Sequence, residues 1–174
     1  MTNIKFRPIK LDEDNEVYQM FQEIPAGENG FYNTACGLSK KEFKAFCQRR
    51  VDSSQGINLK AGYVPDTYYL LFADDYPVGV AKLRHYLNEK LIKIGGHIGY
   101  SIRPTRRGEN FGNIILQKVL EQAKLKGLDK VMLTIKEDNT PSRKTCEHNG
   151  GKLEKIEFIH NNNECFYWID ISQI

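Results

Sequence analysis

The chain has 174 residues, 40% hydrophobic and 11% aromatic, with a formal net charge of +3. That supplies one ordinary core and too little excess charge for the concentrated basic stripe of a nucleic-acid binder, and the apolar runs break well before the roughly 18 residues a membrane helix needs. The cysteines Cys36, Cys47, Cys146 and Cys165 form no CxxC pair and the histidines His85, His97, His148 and His160 have no ligand spacing, so reduced thiols and no metal site are expected.

The N-terminus MTNIKFRPIK has no apolar signal core, so a cytoplasmic protein is expected. Residues 4–10 alternate as a strand does, and LDEDNEVYQMFQEI spaces Val17, Met20, Phe21 and Ile24 at helical intervals. IPAGENGFYNTACG has no periodicity and predicts a long loop, a candidate substrate lid. Ser39 caps a helix through KKEFKAFCQRRV. TYYLLFA and VGVAKLRHYL predict strands about an Asp74-Asp75-Tyr76-Pro77 turn, followed by a strand KIGGHIGYSI. Asn110 to Lys126 carries Phe111, Ile115, Leu116, Val119, Leu120 and Ala123 on one helical face, with Gly127 as C-terminal cap. KVMLTIK is a strand, Thr140-Pro141 opens a helix ending near Gly150-Gly151, and KLEKIEFIH and ECFYWIDI are strands joined across Asn161-Asn162-Asn163. No repeat or linker interrupts the chain, so one domain over 1–174 is expected.

Between a strand and a strongly amphipathic helix lies Arg103-Pro104-Thr105-Arg106-Arg107-Gly108-Glu109-Asn110-Phe111-Gly112-Asn113. Free N–H groups at a helix start bind anions, Gly108 and Gly112 leave room for a ligand, and Arg103, Arg106 and Arg107 supply charge for phosphate oxygens. A pyrophosphate fits this composition. There is no Gly-Lys-Ser/Thr for a P-loop, and GxGxxG cannot be written through GENFG.

SIRPTRRGENFGNIIL resembles the acyl-CoA-binding motif of the GNAT acyltransferases, Arg/Gln-x-x-Gly-x-Gly/Ala at a strand-to-helix junction: Arg107 and Gly112 match, and Asn110 replaces the first glycine. DNTPSRKTCEHNGGKLE is similar to the family's second segment through Asn139, Ser142 and Gly150-Gly151, and IPAGENGFYN resembles a subgroup of predicted acetyltransferases without an assigned function. The resemblance implies an α/β (α+β) domain with a mixed, mostly antiparallel sheet of about six to seven strands, about four flanking helices and a splayed strand before the turn. It implies acetyl-CoA as acyl donor. The backbone of Ile102 and Arg103 would run beside the pantetheine arm. Arg107, Gly108, Asn110, Phe111, Gly112 and Asn113 would cradle the pyrophosphate. Asn139 would contact the arm near its thioester end, Ser142 would belong to the same cofactor-binding segment, and Arg143 and Lys144, in the first turn after Pro141, would meet the 3′-phosphate. A helix cap is the alternative for Asn139, and a solvated helix face for Arg143.

Acetylating an alkylamine requires removing a proton from a group with a reference pKa near 10.4, and the carbonyl needs a donor for its developing charge. By the resemblance that donor is a backbone N–H around Ile102. The family's glutamate base falls in register on Gly96, with His97 beside it. His97 has a suitable reference pKa near 6.5, but strand alternation sets it opposite Ile98, Tyr100 and Ile102. Tyr100 is a cleft-wall candidate. Cys146 stands where many relatives carry a thiolate-protonating tyrosine, with simple packing as its alternative, and Glu28 is a loop carboxylate that either serves as base or faces solvent. Phe31 and Tyr32 would line the same cleft.

Acetyl transfer to a small-molecule or peptide amine is the leading reading. An acyl-CoA-binding module without turnover is the alternative, motivated by Asn110, Gly96 and Cys146. Nucleic-acid binding by the arginines rests on local charge alone, and no membrane contact is expected. A homodimer is possible, through TYYLLFA or ECFYWIDI as an edge.

Overall fold

The computed structural model describes residues 2–28 and 30–174. The chain begins with β1 (Ile4–Pro8) and α1 (Asn15–Glu23), where Asp14 caps the helix by accepting from the Val17 N–H at 3.0 Å. The expected lid contains a small hairpin, β2 (Gly27–Glu28) and β3 (Phe31–Tyr32), which the absence of periodicity concealed. It is anchored by buried Asn33, whose amide donates to the Phe21 and Ile24 carbonyls, both at 2.7 Å. Next comes α2 (Lys40–Ser54), opened by a reciprocal capping box between Ser39 and Glu42.

β4 (Asp66–Ala73) and β5 (Tyr76–Arg84) form a hairpin whose turn is Asp74-Asp75 alone, with φ of 50° and 65°. Tyr76 and Pro77 belong to the strand, because a two-residue turn with both φ positive matches strand twist. A short α3 (Glu89–Lys93) ends on the first residue of the expected strand KIGGHIGYSI, and a loop with Gly95 and Gly96 at positive φ takes its next four positions, so β6 covers only Ile98–Ile102. After a 3₁₀ turn at Pro104–Arg106 come α4 (Phe111–Leu125), β7 (Lys130–Lys136), α5 (Thr140–His148), β8 (Lys152–Ile159) and β9 (Asn162–Asp170). The last turn is His160-Asn161, with φ of 48° and 64°, one residue earlier than the asparagine run implies.

The strands form two larger sheets, β1-β4-β5-β6 and β7-β9-β8, with every ladder antiparallel. Helix α4 packs on β5 and β6 and buries Phe111, Ile115, Leu116, Val119, Leu120 and Ala123, as its periodicity predicts. The opposite face of the first sheet carries α1 and α2, packed through Phe21, Phe43 and Phe46. β4 and β9 are both interior strands, so neither supplies the free dimer edge expected of TYYLLFA and ECFYWIDI. Among the described residues the outer edges are β1 and β8.

Candidate functional site

The two sheets meet at their base and part above it. The His97 N–H donates to the Met132 carbonyl at 2.7 Å, and the Met132 N–H donates to His97 Nδ1 at 2.9 Å. Gly96, at φ +59°, lies so close that an added Cβ would stand 2.3 Å from the Met132 oxygen. No side chain fits there, which is why a glutamate base is missing from that position. Beyond this clamp β6 pairs only with β5 and β7 only with β9 among the described residues. The backbone bonds from Arg84 to His97 and from Arg103 to Val78 fix the alternation of β6. It directs the N–H groups of Tyr100 and Ile102 into the gap. From that side Arg107 Nε donates to the Ile102 carbonyl at 3.2 Å.

A cleft of about 1500 Å³ passes through the gap and reaches the N-terminal ends of α4 and α5. Gly108 and Asn110 adopt φ of +81° and 66°, turning the chain into α4. Among the described residues no protein acceptor meets the backbone N–H groups of Gly108 through Gly112. Open donors, the helix dipole and the adjacent Arg106 and Arg107 make this a candidate anion cradle. Gly112 faces α5, where a Cβ would stand in ordinary contact with Thr145 Oγ1, at 3.5 Å. Arg107 grips Glu28 of the β2–β3 hairpin with both terminal nitrogens, and Arg106 forks Glu109.

The cleft is lined by Ile102, Arg107, Gly108, Asn110, Phe111, Gly112 and Asn113, and by Asn139 and Ser142 across it. Asn139 caps α5 by accepting from the Ser142 N–H at 3.3 Å. Tyr100 and Glu28 line the cleft as well, as do Phe31 and Tyr32. The Tyr100 hydroxyl lies 3.1 Å from Ser142 Oγ, and burial pushes its pKa up, so it is a neutral phenol.

Four expected residues have side chains elsewhere. Arg103 is 3% exposed and turns to α1, forking Glu23, with its guanidinium 4.4 Å from the Tyr76 ring centroid. Its charge is therefore directed away from the cradle. Arg143 donates to the Tyr167 hydroxyl at 3.0 Å and to the Glu137 carbonyl at 3.1 Å and does not line the cleft. His97 is buried in the clamp, where burial, with Arg84 nearby, pulls its pKa down to about 4 and Nδ1 is already an acceptor. Cys146 is fully buried against Gly151, and burial raises its thiol to about 12.

Among the cleft residues that escaped the sequence reading, one carries a carboxylate beside the gap strands. Glu164, at the start of β9, lines the cleft and is 7% exposed, with its carboxyl pKa raised by burial. It pairs across to Lys136 and has the opposite parity to Cys165, Tyr167 and Ile169, which pack in the core beneath α4. Glu164 therefore faces away from α4 and α5. The alternation of ECFYWIDI carried this signal, but a glutamate beside an asparagine turn reads as an exposed strand end.

No curated protein sequence matches the chain. A family model described as acetyltransferase (GNAT) domain matches residues 3–152. Among solved structures, RimL, a ribosomal alpha-N-protein acetyltransferase in complex with coenzyme A, aligns with a TM-score of 0.74 at 18% identity, covering 100% of this chain and 97% of that one. The putative acetyltransferase yncA of Salmonella typhimurium, solved with acetyl-CoA, aligns at 0.65 and 11% identity over 98% of this chain and 95% of its own. A spermidine N-acetyltransferase SpeG chimera from Vibrio cholerae and hSSAT aligns at 0.66 and 14% over 98% and 96%. No described helix is long and apolar enough to cross a membrane.

Proposed function

Because the chain belongs to the acetyltransferase (GNAT) domain family, we propose that it moves an acetyl group from acetyl-CoA to a primary amine by direct attack within a ternary complex. The observation that carries this is the row of open N–H groups from Gly108 to Gly112, beside Arg106 and Arg107, at the mouth of the gap between β6 and β7. Acetyl-CoA would supply the thioester. Arg107 and the cradle hold its pyrophosphate, and Ile102 and Asn139 line its path. β9 lies between β7 and β8, so residues 153–174 belong with the matched region in one domain over 1–174.

Glu164 is the proposed base. Burial raises its carboxyl above the ordinary carboxylate range, which makes it a better proton acceptor, and it stands on the face away from α4 and α5. The N–H groups of Tyr100 and Ile102 face the gap and stabilise the developing oxyanion. The Tyr100 hydroxyl is the proposed proton donor to the leaving thiolate: the group expected from α5 is delivered by β6 instead, against Ser142. His97 and Cys146 serve packing and the clamp.

Calorimetric titration with acetyl-CoA tests the reading. The wild type is expected to bind, and an Arg107→Ala/Gly112→Asp double variant to lose at least about 100-fold in affinity, since a charge-assisted contact is removed and a carboxylate is placed at the cradle. Absence of wild-type binding overturns the assignment.

A further inference from the structure

At the end of the cleft remote from α4 the wall carries more partly buried positive charge than it can neutralise. Arg50 from α2, Lys82 and Arg84 from β5, and Asp66 from β4 all line it. Asp66 is 4% exposed and accepts from Ser53 Oγ at 2.9 Å. Lys82 Nζ approaches its carboxylate only to 3.5 Å and an Arg50 terminal nitrogen only to 3.8 Å. Arg84 is occupied with the Gly95 and Gly96 carbonyls at 3.0 and 2.8 Å. Arg50 Nε is buried with no acceptor. Three cations thus share one carboxylate, an imbalance that is costly away from water unless a further anion completes it.

The cluster stands on the acceptor side of the sheet. Tyr68, Lys82 and Gly99 are successive cross-strand partners on β4, β5 and β6, so they share a face, the one covered by α2. Arg50 and Lys82 both lie over the Tyr68 ring, 5.1 and 5.9 Å from its centroid. Gly99 presents no side chain between Lys82 and the gap, and the lid's Phe31 approaches from above, 3.6 Å from where a Cβ would be. One strand spacing, about 5 Å, separates the Lys82 strand from β6, whose N–H groups enter the gap.

We propose that this cluster binds an oxyanion of the acceptor, so that the substrate is a short amine bearing a carboxylate or phosphate, held by Lys82 and Arg50 with its amine toward the gap and Glu164. The inference rests on the acetyl-transfer reading for the role of the amine. Burial, reinforced by Arg84, holds Lys82 down to about 8, a value that still leaves it mostly protonated at neutral pH. The same charge disfavours polyamines.

Three probes of similar reach test this, β-alanine, β-alaninamide and O-phosphoethanolamine, each used as acceptor with acetyl-CoA and titrated calorimetrically. At least one of the two acids is expected to show a KM at least tenfold below that of the amide, and whichever acid wins identifies the oxyanion. Lys82→Met keeps the side chain's length and relieves cation crowding, so it should melt no lower than wild type. It is expected to raise KM for the preferred acid at least tenfold while the acetyl-CoA Kd stays unchanged. Equal KM for acids and amide, or a preference that survives in both Lys82→Met and Arg50→Met, overturns the subsite and leaves acetyl transfer standing. Failure to bind acetyl-CoA overturns the acetyl-transfer reading. In that event the calorimetric comparison decides the subsite: tighter binding of an acid than of the amide supports it, and equal affinity overturns it.

Discussion

Gly96 shows how much a single position decides in this molecule. Its positive φ and the 2.3 Å approach to the Met132 oxygen leave no room for any Cβ, so the strand base is closed to a catalytic side chain. Gly96→Ala should cost about 3 kcal/mol, combining left-handed backbone strain with overpacking, and lower Tm by roughly 10 °C in a thermal melt. A variant melting within 2 °C of wild type would contradict this clamp. The cradle glycines and Arg107 were legible because a phosphate turn needs particular residue types at a particular spacing. Arg103, Arg143 and Glu164 were not, since their roles depend on which way a side chain points. Arg103 turns to Glu23, eighty residues earlier in the chain, and Glu164 is buried by a sheet that its own strand does not reveal.

At the scale of elements, the long amphipathic helix and the apolar strands were read where they stand, while the short pieces were missed. α3 has five residues and the β2–β3 hairpin two per strand, too few for either periodicity to register. That hairpin matters because it brings Glu28 onto Arg107. The carboxylate holds the guanidinium that a pyrophosphate would need, so we propose that it competes with the ligand. Glu28→Gln should therefore tighten acetyl-CoA binding roughly two- to fivefold, the scale of a partly exposed ion pair. Weaker binding in that variant would show that the hairpin's contact supports the cradle.

On the scale of the whole molecule, the proposed function comes from two sheets that are joined at His97 and Met132, with the Gly95 N–H also donating to Thr134 Oγ1, and that share no strand ladder among the described residues. The seven strands of these sheets agree in number with expectation and the helices exceed it by the short α3. The resemblance implied the splayed strand. Its physical cause, a reciprocal pair of bonds between His97 and Met132, one backbone to backbone and one from the Met132 N–H to the His97 ring, closing the base while the Tyr100 and Ile102 N–H groups are left to face the gap, required coordinates. The parting brings the anion cradle at α4, the phenol on β6 and the carboxyl on β9 around one cleft, although 64 positions separate Tyr100 from Glu164 in the sequence. The central claim is that this cleft transfers an acetyl group with Glu164 as base. Its most direct test is amine-dependent release of free coenzyme A thiol from acetyl-CoA, measured with wild type and Glu164→Gln. The expected result is release by wild type only when an amine is present, with kcat falling as pH drops through the raised pKa of Glu164. Glu164→Gln should bind acetyl-CoA with unchanged Kd, lack that acid limb and turn over at least about 100-fold more slowly. Acetyl-CoA binding without amine-dependent release from any acceptor class would contradict transfer and leave a binding module, and an unchanged rate in Glu164→Gln would remove this residue from the chemistry.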